Sequence, residues 1–171
     1  MTASTNRIRI FGTADDSIVD GPGIRFAVFT QGCKHHCLGC HNPEAQPFTG
    51  GREVTVDELW EKIEGNPLVS GITLTGGEPF EQPAPLIELV GRAHGKGLSV
   101  WAYSGYRYEE LLDGVPCDDA RELALACDVL VDGLFVREQQ SYTLKWCGSA
   151  NQRVIDVPAS LEAKEVVEWE K

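Results

Sequence analysis

Four short segments rich in β-branched and aromatic residues recur along the chain, and each one ends in glycine or polar residues. The segments span residues 24–30, 71–75, 98–103 and 129–131. The residues that follow them are Gln31-Gly32-Cys33, Gly76-Gly77-Glu78, Ser104-Gly105 and Asp132-Gly133. This pattern predicts four β-strands, each followed directly by a loop whose backbone can turn sharply.

Helical patterns occupy the stretches between these strands. Thr55 and Glu58 have the spacing of a capping box, and the apolar residues after them recur at helical intervals until Gly65. The same period appears over residues 86–93 and 120–127. Alternating strands and helices predict an α/β fold with a mostly parallel sheet, whose right-handed crossovers bring the four strand ends to one face. A closed eight-unit barrel needs about 250 residues, so this chain of 171 residues allows only a partial, open (β/α) barrel.

Three cysteines with the spacing Cys-x3-Cys-x2-Cys follow the first predicted strand, and they are Cys33, Cys37 and Cys40. Three thiolates this close can hold one soft metal centre, but a closed tetrahedral site needs a fourth ligand. Two readings stay open from the residues alone. A zinc ion would take a nearby histidine as fourth ligand, and the candidates are His35, His36 and His41. A [4Fe-4S] cluster would leave one iron free to bind another molecule, which favours chemistry.

The cysteine spacing, followed by Gly76-Gly77-Glu78-Pro79 at the end of the next predicted strand, resembles the radical S-adenosylmethionine (SAM) superfamily. Other segments resemble, more narrowly, the activating proteins of anaerobic (class III) ribonucleotide reductases, and they span residues 17–25, 30–33, 40–44, 131–133 and 148–153. The resemblance runs from about residue 8 to residue 161 and implies a single radical SAM domain over residues 1–171. Cys147 is a departure, because that family usually has a basic residue there.

The resemblance implies an open barrel of the radical SAM type, with a [4Fe-4S] cluster held by Cys33, Cys37 and Cys40. SAM would bind the iron that lacks a cysteine, and an electron from the reduced cluster would cleave SAM into methionine and a 5′-deoxyadenosyl radical. That radical would take a hydrogen atom from a backbone glycine of the reductase and leave a stored glycyl radical. The implied partners are an anaerobic ribonucleotide reductase, as protein substrate, and a flavodoxin- or ferredoxin-type electron donor.

The resemblance also assigns residues to the binding of SAM. The expected contacts are Gly39, Cys40, His41, Gly76, Gly77, Glu78, Ser104 and Asp132. Gly76 and Gly77 are interpreted as glycines that let the backbone approach the ligand closely, although a glycine pair after a strand is also typical of an ordinary turn. No catalytic side chain is expected beyond the cluster ligands, because the cofactors carry the bond breaking.

The remaining cysteines are interpreted as non-ligands. Cys127 falls on the apolar face of its predicted helix and is expected to be a buried thiol, while Cys117 and Cys147 lack ligand spacing. Residues 1–9 lack the apolar core of a signal peptide, which favours the reducing cytoplasm over a disulfide framework. No apolar run reaches membrane-spanning length. The net charge of −11 argues against direct binding of nucleic acid.

Two other functions stay open. One is the activation of another glycyl-radical enzyme such as pyruvate formate-lyase, whose activating enzymes are longer and in some cases carry additional cysteine clusters. The other is a non-catalytic zinc-binding or iron-sulfur module, which gives no reason for Gly76-Gly77-Glu78 at a neighbouring strand end. The C-terminal residues 160–171 are compatible with a packed terminal strand or a short helix.

Overall fold

The computed structural model describes residues 6–170, which form one seven-stranded sheet with helices packed against it. The strands are β1 (Arg7–Ser17), β2 (Arg25–Thr30), β3 (Arg52–Thr55), β4 (Gly71–Gly76), β5 (Ser99–Tyr103), β6 (Val129–Asp132) and β7 (Arg153–Asp156). Their spatial order is β3-β1-β2-β4-β5-β6-β7, and within the described residues the sheet does not close. Residues 1–5 and 171 of the predicted single domain lie outside the described residues.

The centre of the sheet is parallel, and both of its edges are antiparallel. Strands β2, β4, β5 and β6 pair in parallel, and they are the four strands that the sequence predicts. Strand β1 pairs antiparallel with both β2 and β3, and β7 pairs antiparallel with β6. The prediction of an open α/β fold with a mostly parallel sheet is confirmed at this coarse level. The antiparallel edges were not predicted, and they make the sheet a mixed one.

Five α-helices occur within the described residues: α1 (Val56–Glu64), α2 (Pro83–Gly95), α3 (Tyr108–Leu112), α4 (Asp118–Ala126) and α5 (Val157–Ala163). The predicted capping box of α1 is confirmed, because Glu58 N donates to Thr55 Oγ1 at 3.1 Å and Thr55 N donates to Glu58 Oε2 at 2.6 Å. Cys127 follows the end of α4 and is buried, as predicted. Over residues 6–170, none of the helices is long and apolar enough to cross a membrane.

The two faces of the sheet carry different side chains. One face packs against the helices in the main core, to which the central strands contribute Phe26, Val28, Ile72, Leu74, Val100, Ala102 and Leu130. Each large apolar side chain buried in this way contributes roughly 1.5–3 kcal/mol relative to exposure. Because successive residues of a strand point to opposite faces, Phe29, Thr75 and Tyr103 lie on the other face, called the inner face below.

The C-terminal segment covers part of the inner face. After α5 ends, the chain runs back along β7, where Trp169 N donates to Val154 O at 2.8 Å. The ring of Trp169 packs edge-on against Trp101, with the ring centroids 5.0 Å apart. Both alternatives for this region therefore hold in part, because a short helix is followed by an extended segment that pairs with the sheet edge.

Candidate active site

A cavity of about 690 Å³ opens on the inner face, at the carboxyl ends of the central parallel strands. Parallel strands end at the same edge of a sheet, so residues far apart in the sequence meet there. Most predicted site residues line this main cavity, namely Cys33, Cys37, Cys40, His41, Gly76, Gly77, Glu78 and Ser104. Two predicted residues, Gly39 and Asp132, do not line this cavity.

The cysteine loop, residues 31–42, begins directly after β2 and is fixed by backbone hydrogen bonds. Gly32 N donates to Ala45 O at 2.7 Å, and Cys33 N donates to Gln46 O at 2.9 Å. The start of the loop is therefore tied to the short 3-10 turn that follows it. All three cysteines of the loop are free thiols that are neither fully buried nor fully exposed.

The two neighbours of Cys40 pack against the segment that follows β6. Gly39 has a φ of +78°, and a Cβ added to it would lie 3.3 Å from Arg137 Cδ. The ring of His41 packs against Phe135, with the ring centroids 5.0 Å apart. These contacts place the part of the cysteine loop that carries Cys40 against the segment after β6.

The protonation and placement of the thiols bear on what they can bind. Burial raises the pKa of Cys33 to about 11 and also raises the pKa of Cys37, so both thiols keep their protons at neutral pH until a cation replaces them. Among residues 6–170, no three His, Cys, Asp or Glu side chains converge as ligands of one metal ion. In a [4Fe-4S] cluster each cysteine binds a different iron. Three free soft donors that face one cavity fit such a cluster.

The glycine pair after β4 makes room for the cysteine loop. A Cβ on Gly77 would lie 2.6 Å from Gly32 O and 2.9 Å from Ala45 O, and Gly76 has a φ of +95°. Glu78 N also donates to Gly32 O at 2.8 Å, so the strand end binds the loop directly. These contacts with protein backbone explain why Gly77 has no side chain, and the interpretation that Gly76 and Gly77 let the backbone approach a ligand stays a prediction.

The carboxylate of Glu78 is buried and accepts four hydrogen bonds. Its Oε1 accepts from Ser104 Oγ at 2.9 Å and from Phe80 N at 3.2 Å. Its Oε2 accepts from Gly105 N at 2.8 Å and from His35 Nε2 at 2.8 Å. The predicted side chains of Glu78 and Ser104 therefore bind each other and hold the ends of β4 and β5 together.

His35 has a role that sequence reasoning did not identify. The sequence offers it as a zinc ligand, whereas its Nε2 binds the carboxylate of Glu78 and its ring packs edge-on against Tyr106 at a centroid distance of 4.6 Å. Burial alone would lower the pKa of His35, but the hydrogen bond and the charge of Glu78 outweigh burial and raise that pKa. The spacing of His35 from the cysteines gave no signal for this contact.

Asp132 is buried and bound by its own protein. It accepts from Arg153 Nε at 3.0 Å and from Tyr108 N at 2.8 Å. Arg153 also donates to both carboxylate oxygens of Glu109, at 3.0 and 2.8 Å. Asp132 lines a second cavity of about 440 Å³, and its neighbour Gly133 lines both cavities. This geometry gives Asp132 a structural role, and a contact between its carboxylate and SAM stays a prediction.

Gln152 anchors a polar segment that lines part of the main cavity, next to the end of β6. Its Oε1 accepts from Gly148 N at 2.8 Å and from Ser149 N at 3.2 Å, while its Nε2 donates to Gly133 O at 3.0 Å. Cys147, which departs from the family pattern, lines the same cavity as a half-buried thiol whose pKa burial raises. Sequence reasoning quoted this segment for its resemblance but did not place it in the site.

Large side chains fill the inner face next to the main cavity. Trp101 packs edge-on against Trp146 at a centroid distance of 5.7 Å, and the guanidinium of Arg25 lies 5.8 Å from the centroid of the Trp101 ring. Arg25 Nε donates to Thr73 Oγ1 at 2.7 Å, and burial lowers the pKa of Arg25 to about 10. These side chains therefore fill the inner face beside the main cavity.

Comparison with known proteins agrees with a cluster-binding site. Residues 19–155 match the family described as a 4Fe-4S single cluster domain. The anaerobic ribonucleoside-triphosphate reductase-activating protein of Vibrio cholerae is 36% identical over 146 residues, which cover 79% of this chain and 89% of that protein. The protein of the same name from Escherichia coli is 35% identical over 150 residues, covering 80% of this chain and 91% of that protein.

A further relative is named for the activation of pyruvate formate-lyase and not of a ribonucleotide reductase. The pyruvate formate-lyase-activating enzyme of Clostridium pasteurianum is 39% identical over 113 residues, but these cover only 61% of this chain and 48% of that enzyme. The reductase-activating proteins match along nearly their whole length, in contrast to this enzyme. The chain belongs to the 4Fe-4S single cluster domain family and to the family of anaerobic ribonucleoside-triphosphate reductase-activating proteins.

Proposed function

We propose that this protein is a radical SAM activase that generates a glycyl radical on an anaerobic ribonucleotide reductase. The observation that carries the proposal is the main cavity, where three free thiols meet the ends of β4, β5 and β6. The chemistry that a bound [4Fe-4S] cluster and SAM supply there is reductive cleavage of the sulfonium, which gives methionine and a 5′-deoxyadenosyl radical that takes hydrogen from a glycine.

The cysteine loop would hold the cluster through Cys33, Cys37 and Cys40. All three thiols face the main cavity, and each would lose its proton when it binds iron. The expected SAM contacts are proposed at the strand ends that face these thiols, at Gly76, Gly77, Glu78 and Ser104, together with Gly39, Cys40, His41 and Asp132. The buried bonds of Glu78 and Asp132 support a role for these two carboxylates in fixing the strand ends.

The fold supports a description of the protein as a partial, open (β/α) barrel of the radical SAM type in a single domain. The parallel centre of the sheet supplies the strand ends, and the inner face supplies the wall of the cavity. Trp101, Trp146 and Arg25 fill the inner face beside the cavity and would keep water from one side of the reacting groups. A reactive radical needs such exclusion of water and competing hydrogen donors.

The proposed protein substrate is an anaerobic ribonucleotide reductase, and the proposed electron donor is a flavodoxin or ferredoxin in the cytoplasm. Support for the reductase comes from the relatives named for it, which match this chain along about nine-tenths of their own length. The net charge of −11 argues against direct contact with nucleic acid.

Activation of pyruvate formate-lyase is the second candidate function, because the enzyme of Clostridium pasteurianum is 39% identical over its matching part. The test is to reduce the reconstituted protein anaerobically with SAM and mix it with either glycyl-radical enzyme from the same organism. We expect the doublet electron paramagnetic resonance (EPR) signal of a glycyl radical with the reductase. A doublet with pyruvate formate-lyase alone would transfer the assignment to that enzyme, and a doublet with neither would contradict both candidates.

A further inference from the structure

His35 connects parts of the site that are distant in the sequence. Its Nε2 donates to Glu78, 43 residues further along the chain, at a distance of 2.8 Å. The side chain of His35 is 13% exposed and that of Glu78 is 1% exposed, so the contact is shielded from water. Charge-assisted hydrogen bonds in such surroundings are stronger than those between exposed groups.

The origin of the four donors to Glu78 shows what this contact does. Ser104 Oγ, Gly105 N and Phe80 N belong to the ends of β4 and β5 or to residues just after them. His35 is the donor that comes from the cysteine loop. A buried carboxylate that loses one donor keeps an uncompensated lone pair, so this contact favours the observed position of the loop. The middle of the cysteine loop is therefore held at the strand ends by this side chain.

The space around the imidazole is shaped for a ring. A Cβ on Gly105 would lie 2.5 Å from His35 Cδ2 and 2.7 Å from His35 Nε2, so any larger residue there would displace the ring. The ring of Tyr106 also packs edge-on against this imidazole. His36, the next residue, is exposed and has a φ of +50°, which gives a matched control in the same loop.

We propose that His35 is a positioning residue that sets where the cysteine loop stands relative to the ends of β4 and β5. The position of the loop would in turn set where a bound cluster lies relative to SAM. The cluster ligands lie on the loop, while most expected SAM contacts lie at the strand ends. This inference rests on the proposed function. Loss of a group that binds a metal ligand directly typically costs 10–100-fold in affinity or activity, and His35, which acts through Glu78, is expected at the lower end of that range.

The first experiment compares His35→Ala, His35→Gln and His36→Asn after anaerobic reconstitution. His36→Asn keeps a residue that tolerates positive φ, and His35→Gln keeps an N–H donor of similar reach. For each variant, iron and sulfide content, SAM affinity and the EPR spectrum of the reduced cluster with and without SAM are measured. We expect His35→Ala to keep its cluster, bind SAM about 10-fold more weakly and show a smaller spectral change on adding SAM. His35→Gln should recover most of the SAM affinity and most of the spectral change, and His36→Asn should match the wild type in both measurements.

A second experiment displaces the ring without removing it. Gly105→Ala should push the imidazole away from Glu78 and weaken SAM binding to a similar extent. In a His35→Ala background the same change should add less than twofold, because the ring that it displaces is gone. An additive loss in the double variant would mean that Gly105 acts independently of His35.

The outcomes separate this inference from the proposed function. A wild-type protein without a cluster, or without a spectral response to SAM, would contradict the proposed function itself. A wild type with both, beside a His35→Ala variant of equal SAM affinity and equal spectral change, would overturn only the role of His35. If His35→Ala cannot hold a cluster, Gly105→Ala decides alone, because unchanged SAM affinity in that variant would overturn the inference.

Discussion

Gly77 leaves no room for a side chain, because Gly32 O and Ala45 O occupy the position that its Cβ would take. A glycine directly after a strand can be recognised from the sequence, and so can the motif to which it belongs. The sequence does not tell whether a ligand or the protein takes the free space. The backbone that takes it belongs to Gly32 and Ala45, which lie far earlier in the chain.

Substitution Gly77→Ala is expected to disturb the cysteine loop as well as SAM binding. The added Cβ would lie 2.6 Å from a backbone oxygen, and overpacking of this kind costs about 1–3 kcal/mol. Thermal unfolding should show the lost stability, and the iron and sulfide content after reconstitution should fall. Gly91→Ala in α2 is the control, since its Cβ would meet no atom within 4 Å, and it should stabilise by about 0.5–1 kcal/mol. A stable Gly77→Ala protein with a full cluster would contradict this reading.

Asp132 is expected to contribute more to stability than Glu109, the other carboxylate that binds Arg153. Asp132→Ala removes a carboxylate that is 1% exposed and leaves the buried Tyr108 N without its acceptor, which costs about 1–3 kcal/mol. Glu109→Gln removes a carboxylate that is 54% exposed, and exposed pairs contribute about 0–1 kcal/mol. Urea unfolding of both variants measures the difference. Equal losses of stability would contradict this ranking. Weaker SAM binding in Asp132→Ala at unchanged stability would show that its carboxylate acts on the ligand directly.

Elements whose signals are local in the sequence could be predicted, and elements defined by distant pairing could not. The central strands carry runs of β-branched residues, and α1 begins at a capping box, so short windows identify them. Strand β1 has polar and half-exposed residues at its far end and pairs with β3, where Arg7 lies opposite Thr55. Antiparallel strands such as β1, which lies between β3 and β2, need no continuous apolar run, because one face of an antiparallel sheet can stay open to water.

The capping box of α1 permits a test at the scale of one element. Thr55→Ala removes the acceptor for Glu58 N and should destabilise the protein by about 1 kcal/mol, since this helix end loses its side-chain cap. Thr55→Ser retains a hydroxyl acceptor and should restore most of that stability. Chemical denaturation checks both changes. Cluster content and SAM affinity should match the wild type, so a loss of either would mean that α1 supports the site more directly than its position suggests.

Across the whole molecule, the sheet separates two kinds of environment. Helices cover one face and form the main core, while the inner face carries the cavity and the aromatic cluster of Trp101, Trp146 and Trp169. The meeting of the strand ends in one cavity could be predicted from the order of elements, because parallel strands place their ends together. The contacts of His35 and Gln152 could not, since loop conformation depends on partners across the fold and has no period in the sequence.

The distribution of the six cysteines over the molecule provides the last prediction. The cysteine loop presents Cys33, Cys37 and Cys40 to the cavity, whereas Cys127 is buried in the core and donates to Leu123 O at 3.3 Å. Anaerobic reconstitution should give about four irons and four sulfides per chain. Alanine at any of the three loop cysteines should abolish the cluster and SAM cleavage. Cys127→Ala should keep both and lose only about 1 kcal/mol of stability, because it deletes one buried atom. Zinc bound in place of iron without sulfide, or a Cys127→Ala protein that cannot assemble the cluster, would contradict this assignment of ligands.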